Sequence, residues 1–439
     1  MIGVGISAGL SGSKRARTIQ DPLPALDLDW ATNRSLPAAY GPTPSFSRAS
    51  VGTYFNSSGV LTSAAVNVPR FNHVYSGGSW VSKGLLIEEQ RTNLITYSED
   101  LNSNNWTLAR GTASANQTTA PDGTLTADRF TESTATGVHG WVQFNLATTS
   151  GASFTASVFL KAAERSVFVV RFQDNATGAH GAGAEFDLST GTVSVSALNA
   201  GGFTGASAAI EFAGNGWYRC SVSSVVNTTS CSLRVEGCTG TGKFSSGSFN
   251  GESYTGDSSK GWFVWGQQFE AGFKTSYAPS LTASATRSAD VCQLAGSAFS
   301  SVWNPLEGTI VVEGDCQATG TRPFLSFDDS TANERIEIYG SGTDPKVLVV
   351  DGGSTQVDID AGTISSGTAF KLAFAYKAND FAVSLNGGTV ATDTVGTLPT
   401  VDRLRIGANQ AGDYLNGHIS RLRYYPTRLT NAQLQSLST

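Results

Sequence analysis

The sequence predicts an all-β protein, with two β-sandwich or jelly-roll domains in series behind an irregular N-terminal segment. Three observations carry this. Charged residues make up only 15% of the chain while glycine numbers 49, a balance that suits short strands and tight turns rather than long helices. Runs of period-two alternation recur from residue 141 to 271 and again from 308 to 426, without a helical period of similar strength. Between these regions, residues 262–290 open as an apolar strand and end as a polar crossing rich in small residues, TASATRSAD. The crossing separates a jelly roll at 91–290 from a sandwich at 291–439, and residues 1–90, a segment with short strands, precede both. In 439 residues each sandwich can bury its own core.

Pro22, Pro24, Pro37, Pro42 and Pro44 preclude long regular elements near the start. ALDLDW (25–30) alternates like a strand, and GTYFNSSGVLTSA (52–64) reads as a hairpin around Asn56–Gly59. GLLIEEQRTNLI (84–95) places Glu88 and Glu89 beside Arg91 as a salt-bridged corner. Adjacent carboxylates on a strand point opposite ways and do not face each other across a cleft.

The jelly roll is read from WVQFNLA (141–147), SFTASVFLKA (153–162), SVFVVRFQD (166–174), GAEFDLS (183–189), AAIEFAG (208–214), GWYRCSVSSVV (216–226), CSLRVEGC (231–238) and WFVWGQQFEA (262–271). In the last of these, simple alternation puts Phe263, Trp265, Gln267 and Phe269 on one face. The second sandwich is read from eight runs between GTIVVEGDC (308–316) and GHISRLRYYP (417–426), with a hairpin at Asn386-Gly387. A short terminal helix follows, with Thr430 and Gln433 at capping-box spacing and Leu429 and Leu434 at staple positions.

The net charge of −6 argues against general nucleic-acid binding, which needs a basic face. The N-terminus carries Lys14, Arg15 and Arg17 after its short apolar stretch, the reverse of a secretory signal, and no apolar run is long enough to span a bilayer. The five cysteines fit neither a zinc motif nor a redox pair, so they read as small buried hydrophobes. His73, His139, His180 and His418 sit in no nucleophile–base motif, and Walker, G-x-S-x-G and H-E-x-x-H patterns are absent. The sequence therefore reads as non-enzymatic. A polysaccharide-degrading enzyme with carboxylates far apart in the chain is the residual alternative.

PSFSRASVGTYFNSSGVLTSAAVNVPRF followed by GLLIEEQRTNLITYSEDLNSNNWT resembles a segment found in bacteriophage and prophage virion proteins. GNGWYRCSVS and VWGQQFEAGFKTSYAPSLTASATRSADV resemble closing strands of the carbohydrate-binding-module-like jelly rolls those proteins carry. KLAFAYKANDFAVSLNGGTV and LNGHISRLRYYPTRLTNAQLQSLS resemble a concanavalin A-like (laminin-G-type) sandwich. The resemblance spans roughly residues 25–439. It implies a virion surface protein made in the bacterial host cytoplasm: a tail fibre, a receptor-binding protein or a head fibre. It also implies attachment to other virion proteins through residues 1–90, host-surface glycan as ligand, and a homo-oligomer such as a trimer. On that division, removing residues 1–40 leaves both sandwiches folded. A purely structural capsid-decoration or tail-anchoring component without ligand is the alternative.

Sugar binding needs exposed aromatic platforms with polar groups beside them. Trp217 and Trp265 lie in apolar runs and read as core, whereas Trp80, Trp106 and Trp141, the last next to His139, are the glycan-binding candidates. In the second sandwich, loops carrying Asp328, Arg335, Asp413 and Tyr414 offer a polar edge. No cofactor is required. The resemblance implies a structural calcium, for which Glu99, Asp100 and Asp257 are the candidate ligands.

Overall fold

The computed structural model describes residues 23–245, 249, 251–316 and 320–439. The basic arm Lys14, Arg15 and Arg17 lies outside them. The fold is all-β, with antiparallel sheets throughout. Two six-stranded sheets face each other across one apolar core and form the jelly roll. Phe130, Phe154 and Val158 come from one sheet, and Trp141, Phe168 and Val235 from the other. An eight-stranded and a seven-stranded sheet enclose the second core.

The expected order of units in series needs correction. Strand Leu26–Asp29 pairs with Gly417–Tyr425, Ser79–Ile87 pairs with the same strand further along, and Ser45–Ser47 pairs with Val291–Ala295. Leu26, Leu28, Trp30, Leu85 and Ile87 are buried in the second core. Most of the described part of residues 1–90 is thus built into the second sandwich and is not a separate segment. The chain leaves that sandwich at Arg91–Asn93 and returns at Ala285–Arg287, and these two strands pair with each other. The jelly roll is an insertion into the second sandwich, held at a two-stranded neck.

The neck is clamped by charge. Arg48 reaches Asp290 at 3.1 Å, and Arg70 pairs with Glu88 at 2.7 Å and with Asp290. Arg287 lies 3.6 Å from Glu88. All five side chains are almost fully buried. Ser276 closes the cluster by donating its backbone N–H and its hydroxyl to Glu88. The cluster joins the two ends of the insertion: Arg48, Arg70 and Glu88 come from before it, and Ser276, Arg287 and Asp290 from its exit. The neighbouring Glu89 pairs with Arg91, as the corner reading expects.

Strand Gly261–Ala271 departs from simple alternation at Gly266. Its φ of +57° suits glycine, and the pairing steps from Ser157↔Gln268 to Phe159↔Trp265, one extra residue on this strand. The bulge swaps faces, as a one-residue slip must. Trp262 and Val264 before it and Phe269 after it face the main core, while Trp265 packs with Phe159, Trp217 and Tyr277 in a smaller cluster on the other side. Leu61 of the Asn56–Gly59 hairpin joins that cluster and ties the N-terminal residues to the outside of the jelly roll.

Other expectations hold. The five cysteines are free and buried. The terminal helix Asn431–Leu437 has the Thr430–Gln433 capping box, and Leu429 and Leu434 are buried together against the sheet. Asn386 and Gly387 both have positive φ, and Gly388 N–H closes the turn on Leu385 C=O at 2.8 Å. No helix among the described residues is long and apolar enough to cross a membrane.

Candidate functional site

A cleft of about 280 Å³ opens beside the neck, near the lower end of the roughly 300–1,000 Å³ range of small-molecule sites. Three parts of the fold wall it. The N-terminal hairpins bring Phe55, Asn72, Tyr75, Trp80 and Lys83, the jelly-roll edge strand brings Glu211 and Phe212, and the second sandwich brings Asp315 and His418.

The first wall is aromatic. Trp80 stacks on Phe55 at 5.1 Å, Tyr75 meets Trp80 edge-on at 5.7 Å, and Tyr75 lies 4.6 Å from Phe212. Tyr75 is 39% exposed, so one ring of the row is open to a ligand. Gly59 makes room for Trp80, because a Cβ there would lie 2.1 Å from the indole. Strand pairing sets Tyr75 opposite Trp80 across the Phe71–Ser76 and Ser79–Ile87 hairpin.

The facing wall is polar. Asp315 meets His418 Nδ1 at 2.6 Å and Lys83 Nζ at 3.1 Å. Burial raises the Asp315 carboxyl, but His418 and Lys83 outweigh it and hold the group below the usual carboxylate range. Asn72 accepts from Phe55 N–H at 2.9 Å, so its amide nitrogen faces His418 Nε2, also at 2.9 Å. That polarity makes Nε2 the acceptor and leaves Nδ1–H to donate to Asp315. Across the opening, Lys274 pairs with Glu211. Aromatic faces on one side and fixed donors and acceptors on the other can hold a polyol ring.

Of the candidates read from the sequence, only Trp80 lines this cleft. Trp106 is 5% exposed and donates its indole N–H to Tyr97 C=O at 3.1 Å. Trp141 is 2% exposed and donates to Gln267 at 2.7 Å, and His139 is fully buried against Tyr254. These three are not exposed platforms. A tryptophan in a polar run can still bury its ring when the chain returns a carbonyl to its N–H.

Asp328, Arg335 and Asp413 do come together, around Glu337 and Asn409. Asn409 donates to Glu337 and to Asp413, each at 2.9 Å, Arg335 lies 3.5 Å from Glu337, and Arg405 holds Asp328 at 3.0 Å. Asp328 is fully buried, and the cluster presents exposed Asp413 and the half-buried Tyr414, Arg335 and Arg405 outward.

The calcium candidates are not gathered. Glu99 accepts from Tyr277 at 3.1 Å, Asp100 accepts from Asn102 N–H, and Asp257 binds Ser259. No group of three or more His, Cys, Asp or Glu able to hold a metal occurs among the described residues. Sequence reading missed Tyr75, Phe212, Asp315 and His418 as a site. Their only local signal is Tyr75 and Trp80 flanking the Gly77-Gly78 turn.

No protein-family model matches the chain, and no curated protein matches it. Solved structures similar to parts of it include the CBM40 domain of the Ruminococcus gnavus IT-sialidase bound to α2,3-sialyllactose. That match has 17% identity and a TM-score of 0.29, and covers 32% of this chain and 88% of that one. Domain 4 of AbnA, a GH43 extracellular arabinanase from Geobacillus stearothermophilus in complex with arabinotriose, has 19% identity and a TM-score of 0.28, with 38% and 82% covered. Mouse laminin α1 chain domains LG4-5 have 10% identity and a TM-score of 0.22, with 68% and 90% covered. At these values the likeness is one of fold style alone.

Proposed function

We propose that this is a non-enzymatic glycan-binding protein of a phage or prophage virion surface, a tail fibre, receptor-binding protein or head fibre that attaches to host glycan. One observation carries the glycan reading: the neck cleft sets the Phe55–Trp80–Tyr75–Phe212 row opposite the Lys83–Asp315–His418 group. A pyranose offers C–H faces to aromatic rings and hydroxyls to such polar groups. The virion reading rests on the resemblance of the neck-forming segments, and it brings with it a homo-oligomer and virion partners.

Binding of the full-length protein to a glycan array and to host cells tests the first part. Tyr75→Ala removes an open ring and is expected to weaken binding by on the order of 1–2 kcal/mol, about tenfold in Kd. Failure to bind any surface of the true host, or binding unaffected by both Tyr75→Ala and Lys83→Ala, rejects the cleft. Immunogold labelling of particles tests the second part, since a virion component decorates them and a free protein does not.

One observation favours a second reading, a purely structural capsid-decoration or tail-anchoring subunit. The segments that carry the virion resemblance meet in the buried clamp at the neck, where their charged residues face one another and not a ligand.

A further inference from the structure

The outer face of one jelly-roll sheet carries a cation with no hydrogen-bond or ion-pair partner among the described residues. Strand Ser230–Cys238 lies between Gly140–Ala147 and Val167–Asp174, so Arg234 sits opposite Val142 on one side and Arg171 on the other. Arg171 is fully committed. It grips Glu236 through two bonds of 3.0 and 2.7 Å, and spends its remaining nitrogen on Gln173 and on Phe249 C=O. Glu185, on the next strand, is taken by the backbone N–H groups of Gly242, Lys243 and Phe244. Arg234 has neither a hydrogen bond nor an ion pair among the described residues. Its guanidinium instead lies 5.4 Å from the ring centre of Phe144, which is 43% exposed. Burial first, and then the like charge of Arg171, hold its pKa below the ordinary guanidinium value.

Other polar atoms in this part of the sheet are also unmet among the described residues. Arg234 Nε is buried without a partner. Ser232, two residues along the same face, is fully buried and its Oγ is unpartnered among the described residues. Asn175 Oδ1, at the end of the Arg171 strand, is likewise buried and unpaired. Such atoms are costly unless something outside the chain meets them. Phe244 and Phe249 cover Val167 and Val169 at the other end of the face, and among the described residues the Phe144 end is open.

We infer that this face binds a carboxylate-bearing sugar, with the carboxylate pairing with Arg234 and the ring lying on Phe144. The planar guanidinium matches a carboxylate with two parallel bonds and cancels the surplus charge beside Arg171. This site is separate from the neck cleft and stands whether or not that cleft binds a neutral glycan.

The test is calorimetry on the full-length protein with trigalacturonate, oligoglucuronate and oligomers of N-acetylneuraminate, against neutral galactotriose. At least one acidic saccharide is expected to bind ten- to a hundredfold more tightly than galactotriose, roughly the worth of hydrogen bonds to a charged group. Arg234→Met, which keeps the stem on Phe144, removes that preference. Arg234→Lys, which keeps the charge, loses most of it, and Phe144→Leu weakens binding severalfold. Val395→Ala, an exposed residue of the second sandwich outside both sites, leaves all of this unchanged. The proposal is overturned if no acidic saccharide binds, if Arg234→Met and Arg234→Lys both bind like the parent, or if Tyr75→Ala abolishes binding instead. Sulfate competing as well as the saccharide would also overturn it, since the site would then be one for simple anions.

Discussion

At the scale of single residues, the charges at the neck decide how acid acts on this protein. Burial raises the Glu88 carboxyl, but Arg287, Arg70 and Ser276 together outweigh it and hold the group well below its ordinary 4.5. A carboxylate with a depressed folded-state pKa contributes stability that is present above its unfolded value and lost as pH falls through the folded one. Glu88→Gln leaves Arg70 and Arg287 short of one counter-charge, with an expected cost of about 3–5 kcal/mol at neutral pH. It also flattens the fall in stability below pH 4.5. Urea unfolding at a series of pH values measures both, and an unchanged acid slope would show that Glu88 is not the titrating group. The sequence signalled this corner only in part. Glu88, Glu89 and Arg91 stand together in the chain, but Arg70 and Arg287 are 18 and 199 positions from Glu88, and spacing alone does not announce that they meet it. The tryptophans misled for a related reason: Trp106 lies in a polar run and Trp141 beside His139, and their N–H partners, Tyr97 and Gln267, come from elsewhere in the chain.

At the scale of elements, strands with an apolar face were legible and polar ones were not. Alternation as clear as that of Ser153–Ala162 is absent in Gly111–Thr118, which has no large apolar side chain and mostly faces solvent, so only its pairing with Ala127–Glu132 reveals it. The terminal helix was legible because its cap is local. Thr430 Oγ1 accepts from Gln433 N–H at 3.3 Å, and Gln433 returns the bond to Thr430 N–H at 2.9 Å. Thr430→Ala removes the first bond and is expected to cost about 1 kcal/mol. Calorimetry should show the loss in the transition of the second sandwich, because Leu434 packs on Val311 and Ala375 there. An equal shift in the jelly-roll transition would mean that the two cores unfold together.

At the scale of the whole molecule, the decisive feature is one the order of the chain conceals. Pattern reading divides the chain where alternation changes, so it sees the polar crossing before residue 291 and places the units in series. It has no means of knowing that Leu26–Asp29 and Ser79–Ile87 return to pair with Gly417–Tyr425. Because they do, removing residues 1–40 takes Leu26, Leu28 and Trp30 from the second core. The loss of three fully buried side chains, each worth about 2–5 kcal/mol, exceeds what a typical domain can spare. The truncated protein is therefore expected to keep the jelly roll and lose the second sandwich, and residues 291–439 expressed alone should fail to fold. Residues 94–283 should fold alone, since both sheets and the main core of the jelly roll lie within them. Near-UV circular dichroism and proteolysis of the three fragments distinguish the cases. A cooperatively folded 291–439 fragment would show that the N-terminal strands only decorate that sandwich, and the insertion would then reduce to two independent units joined by a neck.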